Sequence, residues 1–173
     1  MKPLILTDQD KALARQTADA FIQWSIQTQS TDRPHTRYKA WESDHQRKQQ
    51  MQLAYGAEIA IARLLNLSWN GLDTFKNKAD VGDNIEVRYS SVPYLILRPN
   101  DRESDIAFLV QGSTLDRLFL GGFMPVKMGR TPTYKLKDEE TWFIPRESLY
   151  AFIPQYQAVQ AFLQRLATRS QTP

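Results

Sequence analysis

The sequence predicts an α/β fold, a mixed central β-sheet flanked by helices, and three observations carry that expectation. Apolar residues recur at helical spacing in two long stretches of the N-terminal third. Short β-branched and aromatic runs separated by turn residues fill the middle, and a further helical pattern closes the chain. Helices that bracket a block of strands bury their apolar stripes by packing on a sheet. With 173 residues and 42% hydrophobic content the chain is large enough for one substantial core. A single domain over residues 1–173 is expected, with an N-terminal helix at about 8–27 and a core at about 43–167.

Taken in order, Thr7-Asp8-Gln9-Asp10 has the form of a capping box, and Leu13, Thr17, Ala20, Phe21 and Trp24 follow at helical spacing. Residues Ser30 to Pro34 break that helix. Arg33, His35, Arg37, Lys39, Arg47 and Lys48 then gather around Tyr38 and Trp41, the most basic segment of the chain. It reads either as a solvated surface or as a phosphate contact with aromatic support. From about Ser43 to Asn66 the pattern is helical again, with Ala54, Ala57, Ile61, Leu64 and Leu65 on one stripe. Glu58 falls inside that stripe. A carboxylate there is costly to bury unless it is paired, binds a metal or looks into a cleft; the plainer alternative is that it reaches water from the edge of the stripe. Gly56 is expected to admit a close backbone, and Asn66 to Asp73 to form a turn-rich link.

Tyr94–Leu97 and Ile106–Val110 read as core strands separated by the polar turn Pro99-Asn100-Asp101-Arg102-Glu103. Arg117 to Met128, with Gly121-Gly122 at its centre, reads as one bulged strand or two strands meeting at a bend. Lys127, Arg130, Lys135 and Lys137 follow as a candidate nucleic-acid groove or an exposed basic hairpin. Trp142–Pro145 is a last extended piece. Tyr156, Val159, Phe162, Leu163 and Leu166 mark a C-terminal amphipathic helix, with a fraying tail after Thr168.

Composition narrows the function. Nothing approaches the roughly 18 apolar residues of a membrane span, and the N-terminus lacks a signal-peptide pattern, so no membrane association and a cytoplasmic location are expected. There is no cysteine, and two histidines cannot build a histidine-rich zinc site alone, so a metal must be held mainly by oxygen. A net charge of +3 permits a polyanionic partner without requiring one. No Walker loop, dinucleotide fingerprint or Ser-His-Asp order is present, and the acidic spacing does not match a calcium loop.

The densest chemistry lies in Asp80-Val-Gly-Asp-Asn-Ile-Glu-Val-Arg88. Gly82-Asp83-Asn84 is a turn cluster, and Ile85 to Tyr89 alternates apolar and charged residues, which predicts a β-hairpin bending after Asp80. Glu86 and Arg88 then share a face, and Asp80 projects over it if the register allows. Two nearby carboxylates attract a hard divalent cation; the bland alternative is a charged, exposed hairpin.

The order of these groups, a helical Glu58, Asp80 at a strand and Glu86-Val87-Arg88 on the next strand, resembles the PD-(D/E)XK nuclease superfamily over roughly Arg47 to Val110. The resemblance implies a restriction-endonuclease-like αβββαβ core and magnesium- or manganese-dependent hydrolysis of DNA phosphodiester bonds. It makes Asp80 and Glu86 metal ligands, with the Val87 carbonyl adding a backbone oxygen and Glu58 completing the shell directly or through water. Arg37, Lys39, Arg47, Lys127 and Arg130 would contact the DNA. Two departures stand out. Arg88 replaces the family's usual Lys, and an always-charged guanidinium can orient water or stabilise charge but serves poorly as a base. Ala79 stands before Asp80 in place of Pro, at a position that carries no ligand.

Small size and the lack of a second domain resemble stand-alone nucleases of phages or mobile elements. Two readings follow: a metal-dependent deoxyribonuclease, or a nuclease-derived DNA-binding or structural protein without chemistry. Either is compatible with a homo-oligomer or a protein partner.

Overall fold

A computed structural model describes residues 1–27, 44–71, 78–136 and 140–152. The order of elements is β1 (Lys2–Leu4), α1 (Asp8–Gln27), α2 (Asp44–Leu65), β2 (Ile85–Tyr89), β3 (Tyr94–Leu97), β4 (Ile106–Gly112), β5 (Leu118–Pro125), α3 (Val126–Gly129) and β6 (Trp142–Pro145). Four strands in the order β1-β5-β4-β2 form a mixed sheet, in which β2 runs parallel to β4 and the other pairs are antiparallel. Strands β3 and β6 form a separate antiparallel pair. The fold is therefore mixed α/β. Among the described residues no helix is long and apolar enough to cross a membrane.

The capping box forms as its sequence implies. Thr7 Oγ1 accepts the Asp10 N–H at 3.1 Å, and Asp10 Oδ2 accepts the Thr7 N–H at 3.1 Å. The other Asp10 oxygen takes two bonds from Arg63, at 3.0 and 3.2 Å, and Lys48 pairs with Asp19 at 2.8 Å. The start of α1 is thus fastened to the end of α2, and the two helices run antiparallel.

Alternation along the central strand β4 builds two cores. Ile106, Phe108 and Val110 join Ile85, Val87, Phe123 and the buried faces of α1 and α2. Ala107 and Leu109 point the other way and pack with Leu95, Leu97, Met124, Val126 and Ile144. Residues 106–110 are consequently buried on both sides, which is why they read as an unbroken apolar run.

Several expectations are refined. Tyr94–Leu97 and Ile106–Val110 are both core strands, but they lie in different layers. Arg117–Met128 contains one bulged strand: Leu109 pairs with Gly122 and Val110 with Leu120, so Gly121 is the extra residue, and Gly122 takes φ +143°. Gly56 faces side chains rather than another backbone, since a Cβ there would run into Leu115 Cδ2. The hairpin after Asp80 is reduced to a tight reversal in which Val81 and Ile85 exchange backbone bonds of 3.1 and 3.2 Å, with Gly82 at φ +54°. Its first arm is Val81 alone, so Asp80 stands in a bend rather than in a strand. The expected C-terminal helix lies outside the described residues.

Candidate functional site

Strand β2 is the terminal strand of its sheet, and its backbone polarity sets the geometry. The Ile106 N–H bonds the Asn84 carbonyl at 2.9 Å, and the Ser90 N–H bonds the Val110 carbonyl at 3.0 Å. In a parallel ladder this alternation turns the backbone of even-numbered β2 residues toward β4 and that of odd-numbered residues toward the open edge. Val87 therefore presents its N–H and carbonyl at the edge, where Asp80 Oδ2 accepts the N–H at 2.8 Å. The side chains alternate too: Ile85 and Val87 enter the helical core, while Glu86 and Arg88 stand on the opposite face.

Arg88 is the hub of the cluster. Its Nη1 lies 2.9 Å from Glu86 Oε2 and 3.7 Å from Asp80 Oδ2, and its Nη2 donates to Asp101 Oδ1. The same Nη1 is 3.5 Å from the Val87 carbonyl. Burial pulls the Arg88 pKa down, but the charges of Asp101, Glu86 and Asp80 outweigh it and raise the net value.

Glu58 approaches from α2, and its Oε2 accepts the Trp69 indole N–H at 2.8 Å. Part of its surface reaches solvent, yet its carboxyl is set deep enough that burial raises its pKa well above the ordinary range. The charge of Asp80 adds to that rise, and the Trp69 bond opposes it. Asp80 is also raised, by burial, against the opposing pull of Arg88 and the Val87 N–H. Glu86 is pushed up to about 7 by burial, with Arg88 opposing and Asp80 and Asp101 adding. The structure thus brings Glu58, Asp80, Glu86 and Arg88 within electrostatic reach of one another at one edge of the sheet.

Among the described residues no three carboxylate or imidazole groups close into a metal cage. Between Glu86 and Asp80 the shared cation is Arg88 itself. The donor set nevertheless fits a hard divalent ion in kind. Glu58 Oε1, Asp80 Oδ1 and Glu86 Oε1 take no hydrogen bond from the described residues, the Val87 carbonyl faces the same edge, and Asp101 is the third carboxylate paired with Arg88. Every donor is an oxygen.

The expected DNA contacts are dispersed. Arg37 and Lys39 lie outside the described residues, as does Lys137. Arg47 Nη2 bonds Ser25 Oγ at 3.3 Å on the α1–α2 seam. Lys127 is exposed on α3. Arg130 is engaged: its Nη2 donates to the carbonyls of Arg98, Pro99 and Asp101, and its guanidinium lies 5.1 Å from the Trp142 ring, which Lys135 also approaches at 5.8 Å. A hollow of about 320 Å³ beside Met124, Met128, Tyr134 and Tyr150 shares no lining residue with the acidic cluster.

Sequence reasoning missed three members of the cluster's surroundings. Trp69 holds Glu58, Asp101 holds Arg88, and Arg98, the residue after β3, interacts electrostatically with Asp101, Asp80 and Glu86 while its backbone N–H bonds Asp101 Oδ2 at 2.8 Å. Only the turn chemistry of Asn100-Asp101 marked the second of these in advance. Compared with protein-family models, with curated proteins and with solved structures, the chain matches none.

Proposed function

We propose that the protein is a divalent-metal-dependent deoxyribonuclease of the restriction-endonuclease-like type, using magnesium or manganese to hydrolyse DNA phosphodiester bonds. The observation that carries the reading is the convergence of Glu58, Asp80, Glu86 and Arg88 at the open edge of β2, beside the outward-facing Val87 carbonyl. Asp80, Glu86 and the Val87 carbonyl would hold the ion, with Glu58 joining directly or through water. A divalent cation bound there supplies positive charge to the scissile phosphate and acidity to water.

The chain's own groups complete the chemistry. Hydrolysis joins a water oxygen to phosphorus and breaks one P–O ester bond, and the water's proton must be accepted while the leaving oxygen gains one. Glu58, made more basic by burial and by Asp80, is suited in its ionised form to accept the water's proton, and solvent water returns one to the leaving oxygen. Arg88 stays charged and supplies fixed positive charge beside the phosphate.

A second reading is supported by Arg88 itself. A guanidinium whose two terminal nitrogens are committed to three carboxylates is also an ion-pair knot, which suits a nuclease-derived DNA-binding or structural protein that no longer cuts. Incubation with plasmid and single-stranded DNA in magnesium, manganese or chelator separates the two. The hydrolytic reading expects metal-dependent cleavage that Asp80→Ala abolishes. Salt-sensitive binding without turnover in either metal would establish the second reading, and cleavage that survives Asp80→Ala would remove the site assignment.

A further inference from the structure

We propose that Asp101 is the positioning residue for Arg88, holding its outer nitrogen so that the guanidinium does not close fully over Asp80 and Glu86. The inference rests on the hydrolytic reading above and extends it to a residue outside the acidic motif. Asp101 lies in the turn between β3 and β4, with its side chain only 3% exposed, and accepts from Arg88 Nη2. Its second oxygen takes the Arg98 N–H at 2.8 Å, which fixes the carboxylate plane. Its own N–H closes the turn on the Arg98 carbonyl at 3.1 Å. Arg130 grips the same turn through three carbonyls and is itself braced on Trp142.

Closing the turn needs only an acceptor for the Arg98 N–H; the negative charge and the contact with Arg88 go beyond that need. With Nη2 held by Asp101, Arg88 gives Glu86 a single close contact and stands 3.7 Å from Asp80. Released from Asp101, the guanidinium is free to turn both nitrogens onto those carboxylates and compete with a divalent ion for them.

Asp101→Asn isolates this role, because an amide oxygen still accepts the Arg98 N–H while its charge for Arg88 is gone. Manganese affinity and kcat should each fall about tenfold to a hundredfold, as they do when a partner that orients a metal-site residue is removed, with the KM for DNA nearly unchanged. In the metal-free protein, the side-chain nitrogen resonances of Arg88 should change from slow to faster rotation. An Asp101→Asn protein that melts lower but keeps wild-type manganese affinity, kcat and Arg88 resonances would overturn the proposal in favour of a turn-closing role. A wild type that neither binds manganese nor cleaves would overturn the hydrolytic reading and this proposal with it, whereas a cleaving wild type beside an equally active variant would overturn this proposal alone.

Discussion

Asp80 Oδ2 accepts the backbone N–H of Val87 at 2.8 Å. That bond ties the acidic residue before the turn to the strand that carries Glu86, and so fixes their spacing although the first arm of the reversal is only Val81. Asp80→Asn should keep an acceptor for Val87, whereas Asp80→Ala leaves that N–H without its partner. Urea unfolding should find the Ala variant less stable than the Asn variant by about 1 kcal/mol. Equal stabilities would show that the bond does not hold the strand edge.

Proton linkage gives a second test. Glu86 has its folded pKa raised to about 7 from an ordinary 4.5, so the native state binds more protons than the unfolded chain between those values. Its contribution to stability therefore declines as pH rises through that window. Metal binding runs the other way, since a cation needs the ionised carboxylate. Manganese affinity should climb from pH 5 through about pH 7, and Glu86→Gln should make the climb shallower. A wild-type profile already flat over that range would contradict the coupling.

Trp69 supports Glu58 from the turn after α2. Replacing it with Phe removes the only hydrogen bond that Glu58 receives among the described residues and pushes its carboxyl further up. Leaving a buried acceptor without its donor should cost about 1–3 kcal/mol in chemical denaturation at pH 8. A stability within error of wild type would mean that water already serves Glu58.

The basic segment bears on substrate binding rather than on chemistry. Neutralising Arg37, Lys39 and Arg47 together should weaken DNA binding and flatten its dependence on salt, by a slope of about 0.9 for each phosphate that the variant no longer neutralises. Metal affinity should hardly move. An unchanged slope would return these residues to ordinary solvated surface.

What the sequence made legible was local. The capping box at Thr7–Asp10, the extents of α1 and α2, the alternation of Ile85–Tyr89 and the bulge at Gly121-Gly122 all depend on neighbours within a few residues. Contacts across the chain were not legible. Trp69 reaches Glu58 over 11 residues and Asp101 reaches Arg88 over 13; turn chemistry marked Asp101 as a turn residue, but nothing in either stretch links the two ends. The pairing of β3 with β6 was hidden for the same reason, because both runs are short and apolar and fit either layer. Three residues of β1 are too few to show a period. Glu58 stood out because a charge inside an apolar stripe demands an explanation, although periodicity alone could not name the group that answers it.

Single-turnover cleavage at saturating magnesium by wild type, Arg88→Lys and Arg88→Gln tests most directly whether the cluster around Arg88 is a hydrolytic site or a structural knot. Melting temperatures measured alongside separate chemistry from folding. Lys keeps one positive charge within reach of the phosphate and should retain cleavage within about tenfold of wild type; Gln removes that charge and should lose about a hundredfold or more. An Arg88→Gln protein that cleaves at the wild-type rate, with only its melting temperature altered, would contradict the account.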